Sequence, residues 1–295
     1  MRVSIPPAEV AVDHHLVRRL LRGQHPDLAD LPLRRIGNGW DNAVYRLGPD
    51  LTVRVPRREL GARLIAGELR WLPGLSAVLP LAVPTPVRAG QPTEDYPWPW
   101  SVCRYVPGRV PAASAFTGRA GLRAADTLAE FLAALHVPAP VGAPRNPFRG
   151  VPLSARSASF ETHLASAPPA QRTGLEEAWS EAVDAAPHPG PDRWVHGDLH
   201  GLNVLAARGR ITGVIDFGDL CAGDPATDLA AGWLLLDRGG RERLRGILSP
   251  DAAAWSRGRG WALLLGLMFL AHSADSAVNA AIGRRTLGQV LDEGA

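Results

Sequence analysis

His196-Gly197-Asp198-Leu199-His200-Gly201-Leu202-Asn203, followed across a short apolar hairpin by Ile215-Asp216-Phe217-Gly218-Asp219, is the stretch on which the reading of this chain turns. Val204 to Ala206 and Ile211 to Ile215 flank Arg208-Gly209, a pattern that predicts two short strands with polar residues gathered at both ends. Asp198 sits on the loop before them, where a carboxylate can accept the proton of an attacking hydroxyl. Asn203 on the same loop and Asp216 across the hairpin supply hard oxygen donors, the kind Mg2+ takes while it also holds substrate phosphates. A base beside a magnesium clamp suits phosphoryl transfer, in which charge spreads over the transferring oxygens and the protein has mostly to position the reactants.

Upstream, residues 13–22 place Leu16, Leu20 and Leu21 at helical spacing behind Asp13 as N-cap, with Gly23 as the stop. Three strand-like segments follow, Leu33 to Gly37, Ala43 to Leu47 and Leu51 to Val55. They are joined by a glycine-containing loop and by Gly48-Pro49-Asp50, which predicts an antiparallel meander. Leu60, Leu64, Leu69 and Leu72 predict a helix over 59–72, ended by Pro73-Gly74, and two more strands are expected at Val83 to Ala89 and Trp100 to Val106. Beyond Pro107-Gly108 the pattern turns helical, with Leu128, Phe131, Leu132 and Leu135 on one face of a helix over 122–136, and Pro138 to Pro152 reads as a connection. Strands first and helices after predict an α+β chain of two lobes. Residues 1–106 form a small antiparallel-sheet lobe, and 107–295 a larger helical one with the catalytic loop, metal site and acceptor pocket. A length of 295 residues accommodates both cores.

The composition, 46% hydrophobic and 21% charged, is that of an ordinary globular protein. The formal net charge of +3 rests on arginine alone, since the chain has no lysine. The arginines are scattered singly or in pairs such as Arg18-Arg19 and Arg57-Arg58, so no basic run marks a nucleic-acid partner. Cys103 and Cys221 are too isolated for a disulfide framework or a cysteine zinc site. The longest apolar run, Trp261 to Ala271, is too short to span a bilayer core about 30 Å thick, and the N-terminal residues lack the apolar core of a signal peptide. A cytoplasmic protein is expected, monomeric or weakly dimeric, with no membrane partner.

His196-Gly-Asp198 with Asn203, and Ile215-Asp216-Phe-Gly, resemble the catalytic and metal motifs of the aminoglycoside phosphotransferase family, kinase-like enzymes that phosphorylate small molecules, including antibiotics. The resemblance runs from about residue 35 to about residue 235 and includes Gly223-Asp224-Pro225-Ala226-Thr227-Asp228-Leu229-Ala230. It implies a bilobal protein-kinase-like fold that binds ATP or GTP with Mg2+ in the cleft between lobes. It also implies Asp198 as catalytic base, Asn203 and Asp216 on the metal, and Asp228 as a brace of the catalytic loop. The loop holding Gly37, Asn38, Gly39 and Asn42 would cover the nucleotide. The family usually carries a lysine on the third strand, paired to a helix glutamate and holding the α- and β-phosphates; here Arg54 stands there, with Glu68 as its partner. Cys103 to Val106 would be the hinge, whose backbone at Arg104 and Val106 holds the adenine or guanine edge.

His196 reads as a structural support of the loop. The spacing of His196, Asp198 and His200 also suits a zinc or iron hydrolase, and a catalytically weak ligand-binding protein of the same fold would account for Arg54. A protein kinase is disfavoured by the lack of an Ala-Pro-Glu segment and by the short interval from Asp216 to Asp228. The acceptor is a small-molecule hydroxyl, and an aminoglycoside, a macrolide, a peptide antibiotic and a neutral sugar or amino alcohol all stay open. Six acids against three arginines between Val151 and Val195 make that region mildly acidic, while the positive chain as a whole argues against a highly cationic acceptor. Glu161, Asp219, Asp224 and Asp275 are the candidate acceptor-binding residues.

Overall fold

The computed structural model describes residues 7–38, 41–111 and 116–293. Contacts divide them into two units, one running to Pro107 and including Val214–Gly218, the other taking in Gly108–Gly213 and the chain from Asp219 onward.

In the first unit Asp13 caps helix α1 (His14–Gln24), its side chain accepting the Leu16 N–H at 2.7 Å. Strands β1 (Leu33–Asn38), β2 (Asn42–Leu47) and β3 (Leu51–Pro56) form the meander, followed by helix α2 (Glu59–Ser76) and strands β4 (Pro86–Gly90) and β5 (Trp100–Arg104). The sheet order is β1-β2-β3-β5-β4, antiparallel throughout. Alternation along β2 sends Ala43, Tyr45 and Leu47 into one core with Val17, Leu20 and Leu21 of α1 and Trp100 and Val102 of β5.

Helix α2 does not stop at Pro73-Gly74 but continues to Ser76. Proline forfeits a backbone hydrogen bond, yet its fixed φ suits a helix, and the extra turn buries Leu75 as well as Leu72. Gly90 lies flat against the buried Trp100 ring, where an added Cβ would fall inside the indole. Gly90→Ala is expected to cost roughly 1–3 kcal/mol in urea unfolding as the ring is forced off its site. An unchanged midpoint would mean that the indole has room to yield. Val214–Gly218 joins this unit through contacts such as the Val214 N–H to the Ala82 carbonyl, 3.0 Å.

The second unit opens with helices α3 (Gly118–Leu135), α4 (Ser157–Leu164) and α5 (Arg172–Asp184). Four short strands follow, β6 (Arg193–Val195), β7 (Val204–Ala207), β8 (Arg210–Val214) and β9 (Cys221–Gly223), β6 pairing with β9 and β7 with β8. The chain ends in α6 (Ala226–Leu229), α7 (Ala231–Leu235), α8 (Arg238–Leu248), α9 (Ala252–Ala271) and α10 (Ala277–Leu291). Helix α9 is apolar on nearly all sides, and the core closes round it: Trp261, Leu263, Leu264 and Leu267 pack with Trp179, Trp233, Ile282 and Leu287 of neighbouring helices. Among the described residues, no helix is long and apolar enough to cross a membrane.

Candidate active site

The antiparallel pairing of β6 with β9 sets Val195 opposite Cys221, so the loop leaving β6 runs beside the turn into α6. There the buried Asp228 carboxylate accepts the backbone N–H groups of His196 at 2.8 Å and Gly197 at 2.9 Å, and meets His136 Nε2 at 3.1 Å. Burial pushes the Asp228 carboxyl up, but the hydrogen bond from His136, the nearby imidazoles and the Gly197 N–H overcome it, and its pKa lies below the ordinary 3.8. His196 is wholly buried, and its Nδ1 accepts the Asp198 N–H at 3.2 Å.

The two carboxylate oxygens of Asp198 have different surroundings. Oδ2 accepts the Asn203 Nδ2–H at 2.9 Å and meets His200 Nε2 at 3.1 Å. His200 Nδ1 accepts the Leu202 N–H, which assigns the imidazole proton to Nε2, facing Asp198. Oδ1 faces the Arg149 guanidinium at 3.4 Å. Desolvation works against a charge on Asp198, but His200, Arg149 and His196 outweigh it and hold the carboxyl well below the usual carboxylate range. At neutral pH it is therefore ionised and able to accept a proton.

Asn203 commits its amide nitrogen to Asp198, at 2.9 Å from both Oδ2 and the carbonyl oxygen, so its amide oxygen is the atom left for a cation. Asp216 belongs by its contacts to the first unit. Its φ is +64°, a left-handed conformation that costs a non-glycine residue on the order of 1–3 kcal/mol and gathers at functional sites. The carboxylate is 59% exposed and lies 3.9 Å from Arg54, which is buried in β3 and ion-paired with the buried Glu68 of α2. The Asn203 amide oxygen and the Asp216 carboxylate are each, taken alone, a hard oxygen donor of the kind Mg2+ takes. The zinc or iron reading of His196, Asp198 and His200 fails. Among the described residues no three His, Cys, Asp or Glu gather as a metal site, and both Nδ1 atoms already accept backbone N–H groups.

A sequence profile of the phosphotransferase enzyme family matches residues 32–264. The chain belongs to that family. Solved structures share the fold of the phosphotransferase. Aminoglycoside 2′-phosphotransferase-IIIa in its GDP complex aligns with a TM-score of 0.72 at 19% identity, covering 96% of this chain and 100% of that one. The streptomycin–ATP complex of APH(2″)-IIa aligns at 0.62 and 17%, covering 93% and 95%. A macrolide 2′-phosphotransferase from Brachybacterium faecium aligns at 0.61 and 22%, covering 93% and 97%.

The residues expected over the nucleotide are spread along the sheet of the phosphotransferase. Gly37 follows a register shift in β1, Asn38 pairs with Ala43, and Gly39 lies outside the described residues. Asn42 opens β2 and turns its Oδ1 toward Gly61 of α2. Arg104 ends β5 with its N–H already donated to the Thr85 carbonyl at 2.8 Å, so of its two backbone groups only the carbonyl could serve a base edge. Val106 is buried.

On the acceptor side, Asp224 leaves the set of candidates. It is buried, and its oxygens take Arg257 Nε at 2.7 Å, Arg257 Nη2 at 3.3 Å and the Ala226 N–H at 3.0 Å, so it ties α9 to the turn into α6. Glu161 on α4 and Asp275 between α9 and α10 are exposed. Asp219 accepts Asn146 Nδ2 at 2.8 Å and lies 3.7 Å from Arg149 Nε. Arg149 and Asn146 lie within Pro138 to Pro152, which reads from its prolines and glycines as a connection. The run Asn146-Pro147-Phe148-Arg149-Gly150, polar and bulky within an Ala- and Pro-rich segment, is the signal that marks them.

Proposed function

We propose that the enzyme transfers the γ-phosphate of ATP or GTP to a hydroxyl group of an antibiotic-sized small molecule, with Asp198 as base. The observation that carries this reading is the setting of Asp198, with Oδ2 held by His200 and Asn203 on a loop braced by Asp228. Asn203 and Asp216 would hold Mg2+, which when bound neutralises charge on the triphosphate. Arg54, kept in place by Glu68, meets the α- and β-phosphates with a permanently charged fork of donors. The loop with Gly37, Asn38, Gly39 and Asn42 covers the nucleotide, the backbone at Arg104 and Val106 meets the purine edge, and Asp219, Glu161 and Asp275 lie on the acceptor side. The enzyme works in the cytoplasm, as a monomer or weak dimer, in keeping with two free buried cysteines.

Fold relatives solved with GDP, ATP, kanamycin and streptomycin, and a macrolide phosphotransferase among them, support a purine nucleotide donor and an antibiotic acceptor. The formed pair of Arg54 with Glu68 favours transfer over bare ligand binding. The test is nucleoside diphosphate release with Mg·ATP and Mg·GTP against aminoglycosides, macrolides, peptide antibiotics and amino alcohols. Release that depends on one acceptor class is expected and names that class. Nucleotide binding without release against every acceptor would return the ligand-binding reading.

A further inference from the structure

Arg149 is only 9% exposed, yet its guanidinium is poorly satisfied. Nη2 stands 3.4 Å from Asp198 Oδ1 and Nη1 3.4 Å from the Phe148 carbonyl, while Nε, 3.7 Å from Asp219 Oδ2, makes no hydrogen bond. Charge-assisted N–H···O bonds close to about 2.7–2.9 Å. A buried cation with five donors and only long contacts is therefore ready for an anion that binds better, at a depth where unmade hydrogen bonds are costly.

The segment carrying Arg149 is fastened at both ends. The Pro144 carbonyl accepts the Ala222 N–H at 2.8 Å, and the Gly150 carbonyl accepts the Asp224 N–H at 2.9 Å. Between them Asn146 donates from Nδ2 to Asp219 at 2.8 Å and accepts the Phe148 N–H on Oδ1 at 2.8 Å, which fixes the acid facing Arg149 Nε. The guanidinium thus has a built position rather than a chance one.

Because Asp198 Oδ2 is occupied by His200 and Asn203, the acceptor hydroxyl has Oδ1 to receive its proton, and Oδ1 is the atom beside Arg149. In the transfer the hydroxyl oxygen bonds to the γ-phosphorus and its proton passes to Oδ1. The bond to the β–γ bridging oxygen breaks, and its electron pair leaves on the nucleoside diphosphate. The phosphoryl group therefore arrives on an oxygen that adjoins the guanidinium. We infer that Arg149 donates to the phosphoryl oxygens as the group passes to the acceptor and stabilises their charge, an inference that rests on the phosphotransfer reading above. Arginine's planar fork matches phosphate oxygens two at a time.

The test uses Arg149→Met and Arg149→Lys in the full chain, with the acceptor found by the panel. Arg149→Met is expected to lower kcat about a hundredfold or more, as loss of a preorganised donor does, with the KM for nucleotide near wild type and part of the rate restored in Arg149→Lys. A readout apart from turnover is the binding of Mg·nucleoside diphosphate with and without aluminium fluoride, a mimic of the transferring group. Arg149→Met should keep affinity for the diphosphate and lose the gain that fluoride brings. A purely structural arginine would lower the melting temperature and move neither readout. Where Arg149→Met does not fold, Arg149→Gln, which removes the charge and keeps a polar tip, is read the same way. Wild-type kcat with an undiminished fluoride gain in a folded charge-removing variant overturns the inference alone. A wild-type enzyme without acceptor-dependent turnover overturns it together with the reading it rests on.

Discussion

Asp198→Asn is expected to lower kcat by about 10²–10⁴-fold, the range a positioned general base contributes, while the protein stays folded. Asparagine has the shape of aspartate, and its side-chain oxygen can still accept from Asn203 and His200, so the loop keeps its course. What it cannot do is take the proton. The KM for nucleotide should change little, because the interaction removed is one with the acceptor. Steady-state kinetics on protein whose circular dichroism and melting curve show a folded chain makes the comparison. Near wild-type turnover would strip Asp198 of this role.

Asp224→Ala should behave in the opposite way, losing stability before chemistry. Asp224 and Arg257 are both buried, with side chains 8% and 5% exposed. Truncating the acid leaves a guanidinium in the interior with the Ala186 carbonyl as a remaining partner, and breaking a buried pair on one side costs about 3–5 kcal/mol. Urea denaturation should show that loss, with a fall in melting temperature on the order of 10 °C. Replacing both partners with well-packed apolar residues should recover much of it, since the pair pays heavily in desolvation. If Asp224→Ala were as stable as wild type and instead raised the KM for the acceptor, Asp224 would return to the acceptor site.

These two aspartates mark the boundary of what the sequence discloses. Asp198, Asn203, Asp216 and Asp228 stand out because their chemistry is confined to one loop, one hairpin and the turn after it. The meander is equally legible, since short apolar runs flank Gly48-Pro49-Asp50 and little but a turn fits there. Contacts made over long stretches of chain leave no such trace. Arg257 lies 33 residues from Asp224 and Arg149 lies 49 from Asp198, so nothing local separates an acid that greets a substrate from one neutralised by a distant arginine. Pro73 misled for a related reason: a helix breaker is judged by its immediate neighbours, whereas α2 is held past it by the burial of Leu75. Nor does a single cut near residue 107 anticipate Val214–Gly218, which leaves its own strand's unit for contacts such as that with Ala82.

With Asp198 as the proposed base, its unequal oxygens carry a regiochemical consequence. A carboxylate open on both sides could draw a proton from several hydroxyls of a sugar, in several poses. One whose second oxygen is stoppered by His200 and Asn203 admits attack from a single quarter. A polyol entering this site should leave as one phosphate regioisomer, not as a mixture.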